Sequence, residues 1–239
     1  MTKHKTIKVD LALQGGGAHG AFTWGVLDRL LEEPWLEIDG ISGTSAGAMN
    51  AADMACGYAR EGRQGARQAL EGFWRKVSDA ARFSPLQRGP VDIMLGRWTL
   101  DNSPGFLMMD MMARMVSPYD VPALGGNPLA SILADSLDFT ALRNGPIKVF
   151  VTATSVRTGR ARIFRNPDLG VEALLASACL PKLFQSVEID GEAYWDGGFA
   201  GNPTLVPLVT ELESDDTILI PINPINRPDM PRTARDILD

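Results

Sequence analysis

Two glycine-flanked segments within the first 50 residues have a spacing that could do chemistry. Gly43-Thr44-Ser45-Ala46-Gly47 is a G-x-S-x-G pattern whose central serine is a candidate nucleophile. On a sharp turn between strand and helix, such a serine presents its hydroxyl to solvent beside a helix N-terminus. Gly15-Gly16-Gly17-Ala18-His19-Gly20 satisfies G-x-G-x-x-G. Backbone amides free of side chains at a helix start attract negative charge, whether a pyrophosphate or the oxyanion of an acyl-transfer intermediate. Two other readings compete here: a dinucleotide fold, with Asp39 standing where a ribose-binding acid is expected, and a plain tight turn with a helix-capping serine.

A serine nucleophile needs a base. The only histidines are His4 and His19, so none follows Ser45, and a triad in the order Ser, acid, His is impossible. The remaining candidates are an acid, a lysine, or His19 from the glycine loop. The best acid is Asp196, in Tyr194-Trp195-Asp196-Gly197-Gly198-Phe199. It ends a predicted strand, its two glycines permit close backbone approach, and its aromatic neighbours would raise a pKa that is ordinarily too low for a base.

The elements that must position these residues read as alternating strand and helix. Residues 7–13 form an apolar strand, 21–33 a helix closed by Pro34, and 36–42 a second strand. A small-residue helix follows the elbow through 59, and another covers 64–77. Further helices are predicted near 129–137, 171–178 and 203–212, with strands at 147–154, 161–164 and 217–222. Asp190-Gly191 marks a hairpin turn. Residues 79–127 are less regular, and 233–238 read as a helix cut short. The alternation predicts an α/β fold on a parallel sheet, organised as a single domain over 1–239.

Together these segments resemble the patatin-like phospholipases, serine lipid acyl hydrolases with a Ser-Asp dyad. The resemblance rests on four ordered blocks: Gly15–Gly20, Gly43–Gly47, Ala176-Ser177-Ala178-Cys179-Leu180-Pro181 (the family's A-S-x-x-x-P) and Asp196-Gly197-Gly198 (its D-G-[GA]). It implies a three-layer α/β/α sandwich around a mainly parallel sheet. It also implies Ser45 as nucleophile, Asp196 as general base and an oxyanion hole at Gly15, Gly16, Gly17 and Ala18. His19, Gly20, Gly43, Gly47, Gly197 and Gly198 would support the motifs, with no metal and no cofactor. His19 stands where the family usually has Arg or Lys.

The implied substrate is a lipid or other ester, with transient contact to a membrane surface. A nucleotide-dependent oxidoreductase using the glycine loop, and a catalytically silent lipid-binding member, are the alternatives. Residues 106–116 hold five of the chain's ten methionines, which suits either a lid or acyl-chain wall, or a core helix. Arg157, Arg160, Arg162 and Arg165 could meet a phosphate or form a solvated hairpin, and Ser177 and Cys179, conceivable as spare nucleophiles, read as the end of a buried helix stopped by Pro181. A net charge of −6 argues against nucleic acid. Two cysteines fit a reduced, cytoplasmic protein, and neither a signal peptide nor a membrane-spanning run is expected.

Overall fold

The computed structural model describes residues 5–82, 84, 87–96, 103–120, 127–226, 230 and 232. His4 and the helix expected at 233–238 lie outside the described residues.

β-Branched and apolar residues at 7–13 form strand β1 (Ile7–Leu13). It pairs in parallel with β2 (Leu36–Thr44) on one side and β7 (Asp216–Ile220) on the other. β2 in turn pairs in parallel with β3 (Lys148–Ser155). The remaining strands are antiparallel: β4 (Ala161–Phe164) and β6 (Glu192–Asp196) both pair with β3, and β5 (Val187–Ile189) pairs with β6. The expected parallel sheet is therefore a mixed one, with a parallel half, β7-β1-β2-β3, and an antiparallel wing. The wing follows from connection length. Asp190 and Gly191, both at positive φ, turn β5 straight back into β6, and so short a link allows only antiparallel pairing.

Alternation along the strands sends side chains to two helical layers. Leu11, Leu13, Val149, Val151 and Ala153 face a large core built with α1 (Gly20–Leu31) and α2 (Ala46–Ala81). α5 (Pro128–Ser136) and α7 (Val171–Ser177) complete that layer. Ala12 and Phe150 face the opposite way, onto Leu208 of α8 (Val206–Glu211). The result is a three-layer α/β/α fold with one thick and one thin helical layer. Leu11, Leu13, Leu27 and Ile41 are each fully buried, a contribution of about 1.5–3 kcal/mol apiece.

The two helices expected after the elbow are both present within α2, meeting at a kink at Glu61 and Gly62, whose φ of −138° and 60° leave the helical region, and the second folds back so that Trp74 bonds Asn50. The methionine-rich stretch is helical, as α4 (Pro104–Met115), but its exposed methionines are not those of a core helix, and two short helices, α3 (Pro90–Met94) and α6 (Phe139–Asn144), are additional to those expected. The helix expected at 203–212 begins only at Val206, because 201–204 bind across the strand ends instead.

Candidate active site

Ser45 occupies the single residue between β2 and α2. Its φ of 54° and ψ of −122° lie in a region that costs a non-glycine residue about 1–3 kcal/mol. Close packing holds it there. A Cβ on Gly43 would strike the Gly47 carbonyl, and one on Gly47 would strike the Leu13 carbonyl. The Ser45 amide donates to the buried Ser177 hydroxyl at 2.9 Å, and the Ser45 carbonyl accepts the Ala48 and Met49 amides that open α2. Deeper in α2, the Asn50 side chain donates to the Gly20 and Ala46 carbonyls and accepts from Trp74, tying the starts of α1 and α2 together.

The carboxylate arrives by a feature of sheet geometry. A strand has two edges, and β4 pairs with residues 151–154 of β3. β2 pairs with 148–152 and β6 with 153–155, and both overlap β4 in register. β2 and β6 must therefore share the other edge of β3, end to end. β2 leaves that edge at Thr44, opposite Thr152, and β6 ends there at Asp196, opposite Ala153. The junction places the Asp196 carboxyl beside Ser45, close enough for the hydroxyl to favour its ionised form.

Asp196 is only 6% exposed, and its main chain is locked by its amide to the Cys179 carbonyl (2.8 Å) and by the Thr154 hydroxyl to its carbonyl (2.8 Å). Burial pushes its carboxyl above the ordinary aspartate value, opposed by the Gly198 amide, which donates to Oδ1 at 2.7 Å, and by the neighbouring Ser45 hydroxyl. Gly197 lets the chain turn directly over the strand ends, since a Cβ there would strike the Thr152 carbonyl and meet Thr44 Cγ2 at 3.0 Å.

The glycine loop closes the third side. A Cβ on Gly15 would lie 2.6 Å from the Thr44 carbonyl and 2.8 Å from Ser45 Cβ, so only glycine permits this approach. Gly17 takes a φ of 57° and begins a short 3-10 turn, Gly17–His19, that leads into α1. Among the described residues, no hydrogen bond takes up the amides of Gly16, Gly17 or Ala18. The Gly15 amide departs from the sequence-based expectation: it donates to Asn202 Oδ1 at 2.6 Å and is already committed. The candidate oxyanion donors thus reduce to Gly16, Gly17 and Ala18. His19 is exposed, with Nδ1 3.3 Å from the Gly16 carbonyl, so its ring contacts the loop rather than the Ser45–Asp196 pair.

All four sequence blocks converge here, and two residues gain positions that sequence reasoning missed. Ser177 is the fully buried last residue of α7, as its place before Pro181 suggests, and its hydroxyl accepts the Ser45 amide. Asn202 holds the glycine loop. Cys179 is buried and donates to the Gln185 carbonyl at 3.1 Å. Burial first, then the Asp196 charge, pushes its thiol up to about 11, which keeps it a poor nucleophile.

Other sequence candidates lie apart. Asp39 sits toward the opposite end of β2, where it binds Lys8 at 3.4 Å and accepts the Glu213 amide. At about 3.3 Å per residue it is some 16 Å from the elbow, out of place for a ribose held at the glycine loop. Three of the four arginines are ion-paired: Arg157 with Glu192, Arg162 with Asp190 and Arg165 with Glu211. Among the described residues, no group of three or more His, Cys, Asp or Glu could hold a metal, and no helix is long and apolar enough to cross a membrane.

The family model described as patatin-like phospholipase matches residues 11–209, which span all four blocks. No curated protein matches the chain. Among solved structures, similarity extends to VipD from Legionella pneumophila, with a TM-score of 0.48 and 19% identity over 90% of this chain and 49% of that one. It extends also to the ExoU–SpcU complex of the type III secretion system of Pseudomonas aeruginosa, with a TM-score of 0.35 and 20% identity over 74% of this chain and 36% of that one. The chain spans half or less of the length of both.

Proposed function

The chain belongs to the patatin-like phospholipase family, and from that premise we propose that it is a serine lipid acyl hydrolase working through a Ser45–Asp196 dyad. The observation that carries this reading is a serine held at a positive φ at the strand end that abuts a buried carboxyl, Asp196. A capping serine needs neither the strained backbone nor a carboxylate partner.

The reaction follows from the arrangement. The Ser45 hydroxyl attacks the ester carbonyl carbon while Asp196 takes its proton, and the carbonyl oxygen becomes an oxyanion facing the amides of Gly16, Gly17 and Ala18. Each well-placed donor contributes roughly 3–4 kcal/mol to that state. The intermediate collapses, the C–O bond to the alcohol breaks, and Asp196 returns the proton to the leaving oxygen. Water then attacks the acyl-serine, giving its proton to Asp196, which passes it to Ser45 Oγ as the acyl–oxygen bond breaks and the fatty acid leaves. Because Asp196 must be ionised to act as base, and burial raises its pKa, the acid limb of the rate profile lies above the ordinary aspartate value of ~3.9.

The substrate is a lipid ester reached from a membrane surface. Met108, Met111, Met112 and Met115 of α4 are exposed to solvent. The chain following α4 is tied to 185–186 by Tyr119–Ser186 (2.8 Å) and Gln185–Pro118 (3.2 Å) hydrogen bonds. That segment closely follows Cys179, whose carbonyl holds Asp196, so α4 is attached at the rim of the site. Both cysteines are free and buried, in keeping with a single domain working in a reducing compartment, the cytoplasm.

Hydrolysis measured across phospholipids, acylglycerols and short nitrophenyl esters tests the reading. Release of fatty acid from lipid esters is the expected result. No hydrolysis of any ester, together with saturable NAD(H) binding, would refute it.

A further inference from the structure

Asn202 lies outside the four sequence blocks, yet it joins two of them. Its Oδ1 accepts the Gly15 amide at 2.6 Å, and its Nδ2 donates to the Gly15 carbonyl at 3.4 Å, so one side chain grips both polar groups of a single residue. These bonds cross 187 positions of sequence.

The platform behind Asn202 is rigid. The Thr44 hydroxyl donates to the Gly201 carbonyl at 2.8 Å, and the Ser42 hydroxyl donates to the Thr204 carbonyl at 2.5 Å. The Thr152 hydroxyl bonds the Thr204 hydroxyl at 3.0 Å. Ser42 and Thr44 sit on the same face of β2, two residues apart, so they fasten the chain on both sides of Asn202 to the strand that delivers Ser45. The segment 200–204 is also the direct continuation of the turn that follows Asp196.

We infer that Asn202 is a positioning residue for hydrolysis, fixing the glycine loop relative to Ser45 and Asp196 so that the Gly16, Gly17 and Ala18 amides meet the developing oxyanion. The inference rests on the hydrolase reading above. Its logic is orientational. Consuming the Gly15 amide sets the peptide plane at the start of the loop, and the next three amides inherit their direction from it. A loop whose donors are misplaced by about 1 Å loses roughly 10–100-fold in rate without losing ground-state affinity.

The test compares wild type, Asn202→Ala and Asn202→Asp, the last retaining an acceptor for the Gly15 amide. Each is assayed for kcat and KM on a short nitrophenyl ester, and for Ki of an alkyl trifluoromethyl ketone, whose adduct with serine carries the same oxyanion. Active sites are counted by burst titration, so that unfolded protein does not register as lost rate. The expected result for Asn202→Ala is kcat lower by roughly 10–100-fold, KM changed less than about threefold, and Ki weakened in parallel with kcat. Asn202→Asp recovers part of both. Wild-type kcat per active site in Asn202→Ala, or a kcat loss with an unchanged ketone Ki, would overturn the inference and leave the hydrolase reading standing. A wild-type protein that neither hydrolyses esters nor binds the ketone would overturn the reading, and the inference with it.

Discussion

The Ser45 amide donates to the Ser177 hydroxyl at 2.9 Å, joining the elbow to the end of α7 across 132 positions of sequence. Ser177 is fully buried. Ser177→Ala leaves the amide of a strained residue without its acceptor, a loss of about 1–3 kcal/mol. Thermal unfolding is expected to show a lower midpoint, and ester hydrolysis a lower kcat with little change in KM. Unchanged melting and kcat would show that the bond does not hold the elbow.

Glycines offer a matched pair. Gly47→Ala drives a methyl into the Leu13 carbonyl, whereas Gly25→Ala in α1 meets nothing within 4 Å. The first is expected to destabilise by roughly 1–3 kcal/mol and abolish activity. The second is expected to stabilise by about 0.5–1 kcal/mol with activity intact. Denaturant titration of both variants, with ester assays alongside, checks the contrast.

Much of this arrangement was legible before any coordinates. Strand β1 and the start of β2 fall where apolar runs put them, and both glycine patterns lie on strand-to-helix junctions because they contain little else that could fold otherwise. The starts of α4 and α6 carry local signals of their own. Ser103-Pro104 caps the first, with its hydroxyl accepting the Phe106 amide, and Asp138 caps the second by accepting the Thr140 and Ala141 amides. Contacts distant in sequence left no such trace. Nothing local marks Asn202 as the partner of Gly15, Ser177 as that of Ser45, or Glu192, Asp190 and Glu211 as the counter-charges of the arginine hairpin. The antiparallel wing was half visible: Asp190-Gly191 announced the hairpin but not that β6 would share an edge of β3 with β2.

Asp10 is fully buried in β1, and burial first, then the Asp39 charge, raises its carboxyl to about 6. The folded protein therefore holds that proton more tightly than the unfolded chain, whose value is about 4. Stability falls as pH rises from about 4 to about 6, and the cost is fully present above that window. Asp10→Asn is expected to be more stable than wild type by roughly 1–2 kcal/mol near pH 7 and to gain nothing near pH 4. Urea titrations at the two pH values decide it, and an equal effect at both would contradict the assignment.

The exposed methionines of α4 bear on chain length. Changing Met108, Met111, Met112 and Met115 together to Gln removes an apolar face without touching the core. Hydrolysis of long-chain esters is expected to fall roughly tenfold relative to short-chain esters. Equal losses on both, read from kcat/KM across acyl lengths, would show that α4 does not meet the acyl chain.

The dyad itself is tested most directly by nitrophenyl ester kinetics on Ser45→Ala and Asp196→Ala, with circular dichroism confirming that each is folded. Both variants are expected to lose about 10³-fold or more in kcat/KM, and a fluorophosphonate probe is expected to label the wild type at Ser45 and leave Ser45→Ala unlabelled. Retained hydrolysis in either folded variant would contradict the account.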